Sequence, residues 1–148
     1  MDRTRARQRI CTILLLCAPF TIAHGCASPS APIPPPSGGQ VPNLDYATFV
    51  SNVEPILTRR GCDAGGDCHG GGIRGTLALS PQGAKDPAFD FAQVSQQVSA
   101  TTPDASPILT RPLADAAGGT PHPYKPFASI ADTDYVAIRT WARAGATP

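Results

Sequence analysis

A ten-residue segment near the middle of the chain places two cysteines and a histidine among glycines. Residues 61–70 read Gly-Cys-Asp-Ala-Gly-Gly-Asp-Cys-His-Gly, and two further glycines follow directly. Glycine is unfavourable inside helices and strands, so this segment is expected to form a loop. The regular elements of the fold must therefore lie on either side of a flexible loop that carries its most reactive side chains.

Two cysteines followed directly by a histidine form the pattern through which c-type haem is attached to protein. The thiols form thioethers, and the adjacent imidazole binds the iron. The usual spacer between the cysteines is two residues, whereas Cys62 and Cys68 are separated by the five residues Asp63 to Asp67. Gly65 and Gly66 make this spacer flexible enough to bulge outward, so attachment is geometrically possible.

The first 25 residues have the layout of an export signal. Four arginines lie within the first nine residues, and a largely apolar stretch follows that is too short to span a bilayer as a helix. Ala23 and Gly25 precede Cys26, which resembles the lipobox of bacterial lipoproteins, although His24 is unusual there. We expect a signal peptide over 1–25, lipidation of Cys26, and a lipid-anchored protein exported to the cell envelope or periplasm. An ordinary cleaved signal with an incidental Cys26 is the alternative.

Once the signal is removed, Cys62 and Cys68 are the only cysteines besides Cys26. Two neighbouring free thiols are not expected in an oxidising compartment. Three outcomes remain: thioethers to haem, a disulfide, or a zinc site that adds His69 and His122. The oxidising compartment argues against zinc thiolates. The histidine directly after Cys68 favours haem, since a disulfide has no need of it.

Composition and charge exclude several functions. From residue 27 onward there are eight Lys or Arg and ten Asp or Glu, and the basic residues form no stripe. Nucleic-acid binding therefore has no support. We find no Ser-His-Asp set, phosphate loop or suggestive carboxylate pair, and we predict no catalysis beyond electron transfer.

Residues 26–42 are rich in Pro, Ser and Gly and predict a tether, which leaves 43–148 as one small domain.

Apolar spacing predicts a mainly α fold with long loops. A first helix, capped by Asn43 or Asp45, carries apolar residues at helical spacing and ends at Gly61, with a kink or a break expected at Pro55. Glu54 on this helix is expected at the surface. The apolar positions are Phe49, Val53, Ile56 and Leu57.

Three further helical segments are expected. Residues 89–98 form a short helix with Asp90 as a possible cap, and Pro107 begins a helical turn. The last helix is capped by Asp132 or Thr133 and ends at Gly145. Its apolar stripe consists of Tyr135, Ile138, Trp141 and Ala142.

The order of these motifs resembles the cytochrome c superfamily, and within it the planctomycete-type cytochrome c domains of bacterial envelope lipoproteins. The resemblance covers residues 44–146. It implies a cytochrome c-like small helical domain around a haem, in which the first and last helices pack together and bring Phe49 near Trp141. The motifs that carry it are Phe49…Val53-Glu54-Pro55-Ile56-Leu57, Cys62…Cys68-His69-Gly70, Ser106-Pro107-Ile108-Leu109, His122-Pro123, and Asp134-Tyr135…Ile138…Trp141-Ala142.

The resemblance implies haem c bound through Cys62 and Cys68, with His69 as the proximal iron ligand. The only methionine is Met1, so a methionine cannot be the distal ligand. His122 is the remaining histidine after signal removal, it lies in a proline-rich loop, and the family also has a histidine at this point. It is therefore the candidate distal ligand.

The predicted function is that of a membrane-tethered monohaem protein that passes single electrons to a redox partner protein in the bacterial cell envelope. The alternative is a haem-free cytochrome c-like lipoprotein, in which a Cys62–Cys68 disulfide stabilises a binding or structural module.

Overall fold

The computed structural model describes residues 42–72 and 75–146. The predicted signal peptide (1–25), the lipidation site Cys26 and all but the last residue of the predicted tether (26–42) lie outside the described residues. The described part is mainly helical with long loops, as the sequence predicts, and contains no strand. None of its helices is both long and apolar enough to cross a membrane.

The first helical stretch is continuous but changes pitch in its middle. It consists of α1 (Tyr46–Thr48), a π-helical segment (Phe49–Val53) and α2 (Glu54–Arg59). Asp45 caps it, and its carboxylate accepts a hydrogen bond of 2.6 Å from the amide of the last residue of α1. The helix does not break at Pro55. The π turn precedes this proline, which lacks an amide hydrogen and crowds the preceding turn, and the wider turn relieves that crowding.

The second helix, α3 (Pro87–Ser95), begins before the predicted segment 89–98. Its cap is Asp86, whose carboxylate accepts a hydrogen bond of 3.0 Å from the amide of Phe89. The prediction that Asp90 caps the helix is wrong. Asp90 is fully buried and accepts hydrogen bonds from the amide and hydroxyl of Ser80, at 2.6 and 2.7 Å. The Asp86-Pro87 pair indicates the beginning of this helix better than Asp90 does, since proline suits the first helical position.

Two helices complete the C-terminal half. The short α4 (Pro107–Thr110) begins at its proline as predicted, and α5 (Thr133–Ala144) ends at Gly145. Asp132 caps α5 through hydrogen bonds from two amides of its first turn, at 2.9 and 3.3 Å. An isolated parallel bridge joins Leu113 and Phe127 in the loops between these helices.

The core forms where the first helical stretch, α3 and α5 meet. The ring centre of Phe49 lies 5.5 Å from that of Trp141 and 5.4 Å from that of Phe91. The Trp141 indole also donates a hydrogen bond of 2.9 Å to the carbonyl of Asp45. The predicted contact between Phe49 and Trp141 is confirmed, and it joins the beginning of the described part to its end.

Candidate functional site

The cysteine loop, residues 61–70, leaves α2 and folds back on itself. The Cys62 amide donates to the Leu57 carbonyl at 2.9 Å, and the His69 amide donates to the Cys62 carbonyl at 3.0 Å. The two ends of the five-residue spacer therefore lie together, while its later residues, Gly65 to Asp67, are exposed. A Cβ at Gly70 would lie 1.8 Å from the carbonyl oxygen of Asp63, so only glycine permits this close return.

A buried carboxylate anchors the loop beside the first cysteine. Asp63 is fully buried, and it accepts hydrogen bonds from the Thr58 hydroxyl at 2.6 Å and from Lys85 at 3.2 Å. Lys85 also pairs with Asp90 and lies 3.6 Å from Glu54. We call Glu54, Asp63, Lys85 and Asp90 the Lys85 cluster. It ties the cysteine loop to α2 and α3.

Glu54 is 7 % exposed, so the prediction that it lies at the surface is wrong. Gln82 and Lys85 lie against this face of α2, where Gln82 donates a hydrogen bond of 3.4 Å to the Thr58 carbonyl. One carboxylate oxygen of Glu54 is buried without a hydrogen bond among the described residues. Burial raises the pKa of Glu54, and the charge of Lys85 acts in the opposite direction.

His69 has one ring nitrogen engaged and one available. Its Nδ1 lies 3.0 Å from the carbonyl oxygen of Leu77. A carbonyl can only accept, so we assign the proton to Nδ1 and a lone pair to Nε2. Burial lowers the pKa of His69; the Leu77 hydrogen bond opposes this shift, and His122 and Arg111 add to it. The ring is therefore neutral at neutral pH, which is the form that binds metals.

His122 lies close to His69 although the two are far apart in the chain. Their ring centres are 6.0 Å apart and the ring planes differ by 23°. The Nδ1 atom of His122 lies 2.6 Å from the Tyr124 carbonyl oxygen and 3.3 Å from the Tyr124 amide. The shorter contact is to an acceptor, so Nδ1 carries the proton here too. In the neutral form of either ring, the lone pair is then on Nε2.

A cavity of about 400 Å³ is lined by both histidines and both cysteines. We call residues 118–126 the His122 loop, and the cavity is lined by this loop as well as by the cysteine loop. Most of its remaining wall is apolar, as expected for a site that takes an apolar ligand of small-molecule size. The main apolar side chains are Leu57, Leu77, Ile108, Phe127 and Ile138.

One part of the cavity wall is polar. Arg111 donates a hydrogen bond of 3.2 Å to the Thr76 hydroxyl, and the Gln97 amide donates one of 3.0 Å to the Thr76 carbonyl. Arg111 is the one basic residue among the described residues that line the cavity. An acidic group on a bound ligand would find its partner here. Arg111 cannot be recognised from the sequence, since a lone arginine after a short helix carries no signal for a cavity.

The cysteines are not bonded to each other. Burial raises the pKa of Cys62 to about 11, and the neighbouring charge of Asp63 adds to the shift. Within 42–72 and 75–146, no three His, Cys, Asp or Glu side chains form a group able to hold a metal ion. The zinc site considered from the sequence is therefore not formed.

Comparisons of this chain with protein-family models, with curated proteins and with solved structures return no match. Functional inference therefore rests on the cavity, its two imidazoles and its two thiols.

Proposed function

We propose that this chain is a c-type monohaem protein that carries single electrons in the bacterial cell envelope. The observation that carries the proposal is the pair of imidazoles, His69 and His122, with ring centres 6.0 Å apart in a cavity that both cysteines line. The resemblance to planctomycete-type cytochrome c domains supports the same assignment.

The two rings lie close enough to contact one group bound in the cavity. Their centres are 6.0 Å apart, and both side chains line the cavity wall. On both rings the Nδ1 atom contacts a backbone carbonyl, which is the usual outer contact of a metal-binding histidine. His69 and His122 are therefore the residues that would hold the iron.

The remaining wall suits a haem ring. The lining is mainly apolar, and Arg111 provides one cationic position for an acidic substituent. Cys62 and Cys68 would form the thioethers, and the hydrogen bond from Cys62 to Leu57 holds the first of them in place at 2.9 Å. When bound, the haem supplies one-electron chemistry through its iron. The chain itself would hold the ring and orient both imidazoles.

The decisive experiment is production of the full chain in a bacterium that has the haem-attachment system. We expect a red protein whose haem remains on the chain in a denaturing gel and adds one haem to the intact mass. The matched control is the double variant Cys62→Ser with Cys68→Ser, which should lose the covalent haem. A colourless wild-type protein with only the polypeptide mass would overturn the proposal.

The same mass spectrum tests the second candidate, a haem-free lipoprotein stabilised by a disulfide. Both cysteines line one cavity, and the hydrogen bond from the His69 amide to the Cys62 carbonyl keeps the ends of their spacer together. A disulfide is therefore within reach if haem is not attached. In that case the polypeptide would be two hydrogens lighter than the reduced chain, and reduction would restore them.

We also propose that the protein is exported and anchored through a lipid on Cys26. The support is the basic and apolar layout of residues 1–25 before this cysteine. Mass spectrometry of the mature N-terminus should find acylated Cys26 as the first residue, and Cys26→Ser should abolish the acylation. Cleavage at another position, or an unmodified Cys26, would contradict the anchor.

A further inference from the structure

Arg60 makes an unusual set of contacts for a residue at the end of a helix. Its guanidinium donates to Asp134 at 2.7 Å, to both carboxylate oxygens of Asp132 at 2.9 and 3.0 Å, and to the Pro126 carbonyl at 3.1 Å. It also lies over the Phe127 ring, 5.2 Å from the ring centre. One side chain thus contacts both the beginning of α5 and the segment that follows His122.

These contacts join the two loops of the candidate site. Arg60 directly follows α2 and lies two positions before Cys62, so it belongs to the base of the cysteine loop. Pro126 ends the His122 loop, and both Pro126 and Phe127 line the cavity. A displacement of this segment relative to Arg60 would change the distance between the two imidazoles.

Arg59 provides an internal comparison. It pairs with the same carboxylate, Asp134, and donates to it a hydrogen bond of 3.0 Å. Its side chain is 52 % exposed, against 28 % for Arg60, and the structure gives it no contact with Pro126 or Phe127 among the described residues. The neighbouring arginines therefore share an ion-pair partner and differ in their contact with the segment after His122.

We propose that Arg60 is a positioning residue that holds the segment after His122 against the base of the cysteine loop and so sets the separation of the two imidazoles. The part that concerns iron ligation rests on the proposed function. Only a guanidinium can make these contacts at once, because its planar fork offers donors in several directions, whereas a lysine offers one compact charge.

The test compares Arg60→Ala with Arg59→Ala in the full chain, produced with the haem-attachment system. We expect Arg60→Ala to lose low-spin optical bands in favour of high-spin ones while the haem stays covalently attached. Arg59→Ala should keep the wild-type spectrum. A residue that only stabilised the fold would lower the melting temperature without changing the spin state.

A second readout does not depend on haem. Hydrogen exchange should become roughly tenfold faster in Arg60→Ala at the amides of Phe127 and Ala114. These amides donate to the Pro112 and Phe127 carbonyls at 3.2 and 2.8 Å. Arg59→Ala should leave both exchange rates unchanged. If the wild-type chain carries no haem, the proposed function fails, and this comparison alone decides the role of Arg60.

Equal behaviour of the two alanine variants in both readouts would overturn the proposal. Should Arg60→Ala fail to accumulate as folded protein, Arg60→Lys takes its place. Lysine keeps the positive charge but lacks the planar guanidinium with its several donors. We expect the same changes in spin state and hydrogen exchange, at smaller amplitude. A wild-type spectrum together with wild-type exchange in Arg60→Lys would then count against the assignment.

Discussion

The two loops that carry the histidines are held in place in different ways. The cysteine loop is anchored in the interior, where fully buried Asp63 is bound by Thr58 and Lys85. The His122 loop is held at its ends, by Arg60 at Pro126 and by the Thr120 amide, which donates to the Thr110 carbonyl at 2.9 Å. The first loop is therefore part of the core, and a change there should affect folding. We expect the second loop to tolerate changes while the core remains folded.

The largest effect should follow removal of the charge that anchors the cysteine loop. Asp63→Asn leaves Lys85 with a weaker partner and keeps the shape of the side chain. We expect a loss of about 2 kcal/mol in the free energy of unfolding, because an amide cannot accept all the hydrogen bonds that the buried carboxylate accepts from Thr58, Gln82 and Lys85. Urea titration of the full chain measures this loss, and haem staining measures the attached fraction, which should fall.

Asp90→Asn is the matched control for that variant. Asp90 is also fully buried and also pairs with Lys85, but it belongs to α3 and not to the cysteine loop. It should lose comparable stability and retain a larger attached fraction among the folded molecules. Equal attachment in the two variants would show that Asp63 acts through stability alone.

Lowering the pH should reproduce part of the destabilisation that we expect for Asp63→Asn, because it protonates the same carboxylate. Burial raises the pKa of Asp63, but hydrogen bonds from Thr58, Gln82 and Lys85 outweigh it, and the pKa lies below the ordinary 3.8. A carboxylate with a depressed pKa in the folded state contributes stability that is complete above pH 3.8 and is lost as the pH falls through the folded-state value. Urea midpoints measured on both sides of this pH should fall less steeply in Asp63→Asn than in the wild type. If the urea midpoints of the two proteins fell equally with pH, Asp63 would not be the source of this acid sensitivity.

A smaller effect of opposite sign is expected at Glu54, in the same cluster. Burial raises the pKa of its carboxyl above the ordinary 4.5. The protonated form therefore favours folding, and this contribution is lost as the pH rises through the folded-state pKa. At neutral pH, Glu54→Gln should stabilise the protein by about 0.5 to 1 kcal/mol, because a buried charge without a hydrogen bond is removed.

The check on Glu54 is the urea midpoint at neutral pH and again below pH 4.5, where the difference from the wild type should vanish. Asp115→Asn serves as a control, because the Asp115 side chain is 78 % exposed and pairs with Lys125 of the His122 loop, outside the Lys85 cluster. Its midpoint should stay near that of the wild type. A lower midpoint for Glu54→Gln would show that the pair with Lys85 outweighs burial.

The smallest change in stability is expected at the other loop. His122→Ala should change the free energy of unfolding by about 0.5 kcal/mol or less, since the side chain is only half-buried at a loop. If His122 is the distal ligand, the same variant should lose the low-spin optical bands and keep the covalent haem. Tyr124→Ala is the control, because it retains the carbonyl that contacts His122. Unchanged bands in His122→Ala would exclude it as a ligand.

Local signals along the chain were sufficient for most helix ends, although α3 begins at Pro87 after its Asp86 cap and not at the predicted residue 89. The caps at Asp45 and Asp132, the proline that begins α4 and the stop at Gly145 were all predicted, because a cap or a helix end depends on residues within one turn. The same holds for the exposed part of the cysteine loop, Gly65 to Asp67, which follows from its glycines.

Burial of polar residues could not be predicted in the same way. Asp90 was expected as a cap and Glu54 at the surface, yet both lie in the Lys85 cluster. Nothing in the sequence indicated that Arg60 would join two loops or that Arg111 would line the cavity. The partners of these side chains come from segments distant in the chain, and their pairing depends on which elements pack together.

The sequence by itself determined the helical segments, the glycine-rich loop and the supply of thiols and imidazoles, since periodicity and composition act over short distances. Only the tertiary structure decided that His122 lies 6.0 Å from His69, that Asp63 is an interior anchor and that Arg60 joins the two loops. Spacing along a chain sets the face on which a residue lies within its own element. The distance between side chains of different elements is set by how those elements pack.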